Sequence, residues 1–294
     1  MIRLTETNQK IEEMNLSKKT AIAIIFILIG VLSNGQTLKV MTYNIRLDVD
    51  SDGQNDWTYR KDFFNGQIQF YAPDIFGVQE AKPNQVLDIA TALTQYGYVG
   101  IGRDGIGKGE SSNIFYAKEK FKVMESNTFW LSATPDTISI GWDAACNRVC
   151  TYALLKNKQT NKLIWVFNTH LDHIGEVART KGLELILSRI EKLNTNKFPV
   201  ILMGDFNSEP ETDRIIALKN KMNDAKTISK EKPFGPYGTF NNFKYNEAST
   251  HLIDYIFLSK SSHITVNKYA VLSDAKDLRY PSDHFPVFIE INYK

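Results

Sequence analysis

The chain contains little cysteine: only two of its 294 residues, Cys146 and Cys150, are of this type. So low a content excludes the class of small secreted domains held together by many disulfides. Two cysteines four residues apart are also a poor signal for a structural zinc site. Whether the two form a disulfide stays open, because spacing along the chain does not fix the distance between their Cα atoms.

The chain also lacks a surplus of charge of either sign. Its 35 Lys and Arg residues stand against 33 Asp and Glu residues, which gives a formal net charge of +2. Proteins dedicated to binding nucleic acid usually carry a basic excess on one element. The composition therefore speaks against tight, non-specific binding of DNA, although it does not exclude a nuclease.

Long apolar runs are absent except near the N-terminus. The 12-residue run at 21–32 follows a pair of lysines and precedes Ser-Asn-Gly at 33–35. A helix across a bilayer needs about 20 apolar residues, whereas a shorter run between basic and small residues is typical of a secretory signal. We predict a signal peptide at 1–35, one mature domain at 36–294 without a stable membrane span, and a secreted or periplasmic protein. An uncleaved anchor or a buried helix is the alternative.

From residue 38 onward, short β-rich runs alternate with helical patterns, as in an α/β protein. Two runs, at 164–167 and at 200–203, are apolar at every position, which indicates strands buried on both faces. We therefore predict two mixed β-sheets packed face to face as a sandwich, with helices on the outer faces. Strands are predicted at 38–43, 75–79, 112–116, 151–155, 163–169, 200–203, 253–258 and 287–292, and helices at 59–71, 84–93 and 177–193.

Acids, amides and imidazoles mark the ends of the predicted strands. Residues two apart on an extended chain share a face, so Asp205 and Asn207 are expected side by side while Phe206 points into the core. For each polar residue taken alone, a solvated turn is the alternative interpretation. The polar positions are Asn44, Glu80, His170, Asp172, His173, Asp205, Asn207, Asp254, Asp283 and His284.

Asp254 fits the turn interpretation least, because it lies inside the otherwise apolar stretch 252–257. A buried carboxylate is costly unless it is paired, hydrogen-bonded or close to a cation. An imidazole is a natural partner, and we expect His284 to be that partner.

This set of side chains suits the metal-assisted hydrolysis of a phosphoester. Magnesium takes oxygen ligands, typically one or two carboxylates with water and phosphate, and Glu80 with its polar neighbours could supply them. Attack then needs an aligned water, a base and donors to the phosphoryl oxygens. A zinc site at His170, Asp172 and His173 is the alternative, but it lacks the further His or Cys that closed zinc sites use.

Six segments together resemble the endonuclease/exonuclease/phosphatase superfamily. They follow the superfamily's order and span nearly all of the chain after residue 38. The resemblance implies a two-sheet α/β sandwich and magnesium-dependent hydrolysis of a phosphoester, with Mn²⁺ able to replace Mg²⁺. The segments are 41–46 (MTYNIR), 73–80 (PDIFGVQE), 168–173 (NTHLDH), 204–207 (GDFN), 253–257 (IDYIF) and 282–284 (SDH).

The resemblance also implies a metal site. Glu80 resembles the principal metal ligand, and Asn44 beside it would contact metal-bound water or phosphate. Asp283 resembles an acid at or near the metal. Some relatives carry a second acid two residues after the Asn of the first motif, where this chain has Arg46, so the choice between one and two metals stays open.

Catalytic and binding roles follow from the same resemblance. Asp205 resembles the residue that aligns or deprotonates the attacking water, and Asn207 one that holds phosphate. His284, with Asp254 as its partner, resembles the histidine that contacts the scissile phosphate. His170 resembles the second phosphate-side histidine, which in some members pairs with an acid.

Three further residues lie outside these common motif positions. Glu110 lies where the acid partner of His170 would be expected. His173 and Arg179 are predicted to bind substrate, and support for a helix N-terminus is the alternative for them.

The predicted function is thus that of an exported, divalent-metal-dependent hydrolase. It is expected to be a monomer and to cleave a phosphoester, in the first instance a phosphodiester, by in-line attack of an activated water. One alternative is a secreted nuclease acting on DNA or RNA, although the charge gives no indication of a nucleic-acid partner. A sphingomyelinase-like lipid phosphodiesterase is another, and a non-catalytic binding protein on the same fold is a third.

Overall fold

The structure is a computed structural model that describes residues 37–260 and 264–293. The predicted signal peptide at 1–35 therefore lies outside the described residues. Across the two described ranges, each helix is too short or too polar to span a bilayer.

Among the described residues, twelve strands form two six-stranded sheets. The first sheet has the order β11-β12-β1-β2-β4-β3, and the second has the order β5-β6-β7-β8-β10-β9. The strands are β1 Thr37–Asn44, β2 Ile75–Gln79, β3 Tyr96–Val99, β4 Ile114–Ala117, β5 Phe121–Trp130, β6 Val149–Asn157, β7 Leu163–His170, β8 Val200–Asp205, β9 Met222–Asp224, β10 Asp254–Ser259, β11 Ile264–Val271 and β12 Val287–Tyr293.

Four α-helices are described, together with a 3-10 segment at Asp50–Asn55. The side chain of Asp56 accepts a hydrogen bond from the Thr58 amide and so caps the first helix. Proline opens the second helix, at a position where its missing N–H costs nothing. The helices are α1 Trp57–Tyr71, α2 Pro83–Ala92, α3 Glu176–Leu193 and α4 Asp213–Lys221.

The core lies in three layers between four layers of secondary structure. The alternation of a β-strand sends Val40 into the gap between the sheets and Met41 toward the helices α1 and α2. In the second sheet, Ile201 likewise faces the gap, and Leu202 faces α3 and α4. The predicted sandwich of two mixed sheets with outer helices is thereby confirmed.

The eight predicted strands and three predicted helices are confirmed, and no bound differs by more than two residues. The sequence prediction missed β3, β5, β9, β11 and α4. Cys146 and Cys150 are both free, so the pair forms no disulfide in this structure. Cys150 is buried in β6, while Cys146 lies in the loop before it.

The pairing of the strands brings the polar strand ends to one edge. In the first sheet β1 and β2 are parallel, with Asn44 opposite Gln79, so that Glu80 follows directly. In the second sheet β7 and β8 are parallel, with His170 opposite Asp205. The antiparallel strand β10 starts with Asp254 opposite the same Asp205.

Candidate active site

A cavity of about 570 Å³ opens at this edge. Charged and polar side chains dominate its lining, which also includes two phenylalanine rings. The lining residues are Arg46, Leu47, Asp52, Glu80, Arg103, Glu110, Cys146, Arg148, His170, His173, Asp205, Asn207, Phe240, Asn242, Phe243, Ile253, Asp283 and His284.

Asp205 lies at the centre of the polar groups. Its Oδ1 accepts a hydrogen bond of 2.8 Å from the Asn207 amide, and its Oδ2 accepts one of 3.0 Å from the Asn44 side chain. The same Oδ2 lies 3.5 Å from His170 Nε2 and 3.8 Å from His284 Nε2. Burial and the neighbouring charge of Asp254 raise the pKa of Asp205, which makes it a better proton acceptor than an ordinary carboxylate.

Asp254 and His284 form the predicted pair. The distance between His284 Nδ1 and Asp254 Oδ2 is 2.9 Å. Asp254 is fully buried, and its other oxygen makes no hydrogen bond within the described part of the chain. Burial by itself lowers the pKa of His284, but the charge and hydrogen bond of Asp254, together with the charges of Asp205 and Asp283, outweigh burial and raise the pKa to about 10, which favours the protonated ring at neutral pH.

His170 is in the opposite state. The side-chain amide nitrogen of Asn207, Nδ2, can only donate, and it lies 3.0 Å from His170 Nε2 and 3.0 Å from the Leu171 carbonyl oxygen. His170 Nε2 must therefore accept, which fixes the neutral ring with its proton on Nδ1. Burial and the charge of Arg148 lower the pKa of His170, in agreement with this state.

Glu80 and Asp283, two of the three predicted metal ligands, lie near each other at one end of the cavity. Glu80 has a left-handed backbone with φ of 62°, a strained conformation that is common at functional positions. Its Oε1 accepts from the Asn44 side chain and its Oε2 from the Leu47 amide, each at 3.0 Å. Asp283 lines the same end, whereas Asn44 is fully buried beneath it and holds Glu80 and Asp205 in place.

The chemistry of the donors suits a hard divalent cation. Glu80, Asp205 and Asp283 line the cavity with carboxylate oxygens, which are the ligands that magnesium prefers, and the ligand atoms of Asp205, Asp254 and His284 all lie within 4.8 Å of one another. Burial raises the pKa of Asp283, and the charge of Glu80 adds to this rise, whereas His284 and two arginines oppose it. A cation bound there would favour the charged carboxylate.

Arg46 is the one departure from the motif that the structure explains. Its guanidinium forms two hydrogen bonds to Asp52, at 2.8 and 2.9 Å, and its Nε lies 3.9 Å from Asp283 Oδ2. A fixed positive charge therefore stands beside the carboxylates, in the motif position where some relatives have an acid.

Another part of the lining consists of two arginines, each paired with an acid. Arg103 contacts Glu110 at 2.7 Å. Arg148 contacts Asp172 at 3.3 Å through Nε and His173 Nδ1 at 2.8 Å through Nη2. Glu110 is thus the partner of Arg103, and no hydrogen bond joins it to His170 in the described ranges.

Cys146, Asp172 and His173 come close enough together to hold a metal ion, in the region where the sequence left zinc as an alternative. The guanidinium of Arg148 already bonds to Asp172 and His173. A positive charge at that point opposes the binding of a second cation.

The structure brings most of the predicted site residues to the cavity but not all of them. Asn44, Asp254 and Arg179 do not line it. Arg179 lies on α3, where it donates to the Asp172 carbonyl oxygen at 2.9 Å and pairs with Glu176, so it supports the loop before the helix. His173 does line the cavity, and more than half of its side chain is exposed.

Sequence reasoning missed Arg103 and Phe243 and left Arg148 and Phe240 unassigned. Each lies in a long connection between strands, where no periodicity indicates which residue turns inward. Phe243 has a φ of 55°, and its ring packs 5.4 Å from the guanidinium carbon of Arg60. The adjacent Asn241, whose side chain bonds to the Ser282 carbonyl oxygen and the Phe243 amide, holds this turn.

A sequence model of the endonuclease/exonuclease/phosphatase family matches residues 41–284. The chain belongs to this family. Its members are hydrolases that act on phosphoester bonds, so the superfamily resemblance and the hydrolase prediction are confirmed at that level.

Solved structures agree with the family assignment. A family member from Bacteroides thetaiotaomicron is 37% identical, with a TM-score of 0.84 over 89% of this chain and 99% of that one. A mannosyl-6-phosphatase from Bacteroides thetaiotaomicron is 38% identical, with a TM-score of 0.82 over 87% of this chain and 100% of that one.

Curated family relatives are more distant. Mouse nocturnin is 22% identical over 89% of this chain and 67% of its own length. The exoribonuclease subunit Ccr4 of Mycosarcoma maydis is 23% identical over 88% of this chain. The chain spans 51% of the length of that subunit and 60% of a mimivirus protein that is 30% identical over 161 residues.

Proposed function

We propose that the protein is a divalent-metal-dependent phosphoesterase in which Asp205 aligns and deprotonates the attacking water. The observation that carries the proposal is the position of Asp205 Oδ2, 3.5 Å from His170 and 3.8 Å from His284 at the floor of a polar cavity. A phosphoryl group seated there would lie within reach of a proton acceptor and of hydrogen-bond donors at the same time.

The chain's own groups divide the remaining work. His284, with Nδ1 held by Asp254, presents Nε2 to the phosphoryl oxygens as a donor. Asn207 has a left-handed backbone with φ of 44°, which turns its amide toward His170 and the same space. Asn44 fixes the relative positions of Asp205 and Glu80 through one amide nitrogen.

Glu80 and Asp283 are the residues that would hold the cation, and Mg²⁺ or Mn²⁺ fits their oxygen atoms. When bound, such an ion polarises a phosphoryl oxygen and neutralises negative charge that develops during the reaction. Arg46, 3.9 Å from Asp283, supplies a fixed positive charge at the same end. We therefore propose one cation rather than two.

The substrate we propose to test first is a sugar phosphate, which is a phosphomonoester. The support is the 38% identity to a mannosyl-6-phosphatase over the whole of that chain. The phosphodiester predicted from the sequence is the second arm of the test. A nuclease is the second candidate function, favoured by the match to the exoribonuclease subunit Ccr4.

Export to the periplasm or the medium is part of the proposal and rests on the pattern of residues 1–35 alone. N-terminal sequencing of the protein recovered outside the cytoplasm tests it. A first residue near position 36 is expected, and a protein that keeps its first 30 residues would contradict it.

The decisive assay compares 4-nitrophenyl phosphate, bis(4-nitrophenyl) phosphate, mannose 6-phosphate and an oligonucleotide, each with Mg²⁺ and with a chelator. Loss of a general base typically costs about 100- to 10,000-fold, so Asp205→Asn should lower kcat by that amount on whichever ester is cleaved. Glu184→Gln, an exposed acid on α3, is the matched control and should match the wild type. Full activity in Asp205→Asn, or in the presence of the chelator, would overturn the proposal.

A further inference from the structure

Arg148 is a buried cation that the proposed chemistry does not use. The residue is 6% exposed, yet it lines the cavity. Its Nε contacts Asp172 Oδ2 at 3.3 Å, and its Nη2 lies 2.8 Å from His173 Nδ1. In the described ranges Nη1 has no hydrogen-bond partner, so the two N–H groups of this nitrogen remain free for a ligand.

The surroundings of Arg148 hold it rigidly. Asp172 Oδ1 accepts hydrogen bonds from the Ile174 and Gly175 amides, at 3.0 and 2.7 Å. From below, Arg179 donates to the carbonyl oxygen of the same aspartate. Because the carboxylate cannot move, the guanidinium is pre-organised, which lowers the entropy that a ligand must overcome.

Glu110 supplies the complementary acceptor. Its Oε1 contacts Arg103 at 2.7 Å, and its Oε2 makes no hydrogen bond among the residues described. Glu110 lines the cavity together with Arg148, and the two also border a smaller recess next to Glu80 and His170. A free donor and a free acceptor therefore lie close to the position of the phosphoryl group.

Arg103 and Arg148 with their partners Glu110 and Asp172 form one side of the cavity, called the arginine wall below. The net charge of this wall decides which ligand it can bind. Arg103 and Arg148 carry two positive charges, and Glu110 and Asp172 carry two negative ones, so the wall is neutral overall. A second phosphate would favour a net positive wall. Fixed donors and acceptors of balanced charge instead match neutral hydroxyl groups, each of which both donates and accepts.

Aromatic rings of Phe240 and Phe243 border the same cavity. Phe243 keeps its place with a left-handed backbone, which is a genuine outlier for a bulky residue. A sugar ring has apolar faces and a rim of hydroxyl groups, so a cavity that combines aromatic rings with paired donors and acceptors suits it.

We propose that Arg148, Glu110 and His173 form a subsite that binds hydroxyl groups in the alcohol part of a phosphomonoester, as in a sugar phosphate. The inference rests on the proposed phosphoesterase function and extends it from the phosphate to the leaving group. The three residues would thus determine which alcohol is accepted, whereas Asp205 and its neighbours act on the phosphate that all substrates share.

The test compares kcat/KM for two substrates of the mature enzyme and uses their ratio. The ratio divides kcat/KM for a hexose 6-phosphate by kcat/KM for 4-nitrophenyl phosphate, which carries the same phosphate but no hydroxyl group. Loss of a hydrogen bond to a charged partner corresponds to about 10- to 100-fold, so Arg148→Lys and Glu110→Gln should each lower the ratio by that amount. His173→Ala should lower it in the same direction.

Arg189→Gln is the matched control, because Arg189 lies on α3 outside the cavity and pairs with Asp136. It should leave both rates unchanged. Thermal unfolding monitored by circular dichroism separates a folding defect from a binding defect, and His173, whose side chain is 54% exposed, is the variant expected to keep wild-type stability.

Two kinds of result would overturn the inference while leaving the phosphoesterase function intact. One is an equal loss on both substrates in all three variants, which would mean that the residues act on the phosphate or on the fold. The other is a wild-type enzyme that cleaves 4-nitrophenyl phosphate or an oligonucleotide but no hexose phosphate. If the wild type cleaves no phosphoester at all, the proposed function fails, and the inference fails with it.

Discussion

At the scale of single residues, two histidines in one cavity differ in charge because their neighbours differ. His284 lies 2.9 Å from a buried carboxylate that raises its pKa. His170 accepts from an amide and lies near the charge of Arg148, and burial lowers its pKa. The first pairing could be predicted, since Asp254 interrupts an apolar strand, but the environment of His170 depends on loops that carry no such signal.

Asp172 gives a residue-scale prediction about stability. Burial by itself raises the pKa of Asp172, but the amides of Gly175, Ile174 and Ala145 and the charge of Arg148 outweigh burial and lower the pKa to about 2. A lowered pKa in the folded state stabilises the protein above the unfolded value near 4, and this stabilisation, about 2 kcal/mol, is lost as the pH falls through 2. Asp172→Asn should therefore lower the free energy of unfolding by about 2 kcal/mol at pH 7.

Urea unfolding at pH 7, 4 and 3 checks this expectation, and the deficit of Asp172→Asn should shrink as the pH falls. Asp136→Asn is the control, because the Asp136 side chain is 76% exposed and its ion pair should contribute little. A deficit that stays constant across the three pH values would show that the charge of Asp172 is not what stabilises the fold.

At the scale of elements, the strands that sequence reasoning missed are β3, β5, β9 and β11, which are the four edge strands of the two sheets. An edge strand pairs on one side only and faces solvent along much of its length, so its apolar pattern is diluted. In β5 the middle positions are exposed, and a bulge between Val123 and Glu125 breaks the alternation. The eight predicted strands are the interior ones, whose burial on both faces gives nearly continuous apolar runs.

Gly204 allows β8 to pack closely against β7, and this packing places the next residue, Asp205, at the cavity. Gly204 has a φ of 145°, and a Cβ built on it would lie 1.9 Å from the Thr169 carbonyl oxygen on β7. Gly204→Ala must therefore both strain the backbone and separate the two parallel strands. We expect a loss of about 2–4 kcal/mol in the free energy of unfolding, together with reduced activity because the neighbouring Asp205 is displaced.

Gly66→Ala is the matched control, since Gly66 lies inside α1 and an added Cβ would meet nothing within 4 Å. Alanine in a helix interior is favoured over glycine by about 0.5–1 kcal/mol, so this variant should unfold at a slightly higher urea concentration. Wild-type stability in Gly204→Ala would contradict the close approach of β7 and β8.

At the scale of the whole molecule, the site exists only when both sheets are in place. Asn44 and Glu80 come from the first sheet, while His170, Asp205 and Asp254 come from the second. Because these residues follow interior strands, their convergence could be predicted from the sequence and the superfamily resemblance. The arginine wall could not, because Arg103 and Arg148 lie in connections whose course depends on the finished fold.

This shared construction gives a prediction about metal and stability. A cation held by Glu80 and Asp283 binds the folded state and not the unfolded chain, so Mg²⁺ at 100 times its Kd should add about 2.7 kcal/mol to the free energy of unfolding. For a domain of this size about 2–4 °C accompanies each kcal/mol, so the Tm of the mature protein should rise by about 5–10 °C. Differential scanning calorimetry with and without Mg²⁺ measures the shift.

Glu80→Gln separates metal binding from a general effect of salt. The variant keeps the size of the side chain but removes the charge of the principal ligand, so most of the Mg²⁺-dependent shift should disappear. Glu184→Gln, an exposed acid on α3, should keep the full shift. Since this readout does not depend on catalysis, it tests the metal site even if the right substrate has not been found, and an equal shift in Glu80→Gln and the wild type would show that the cation binds elsewhere.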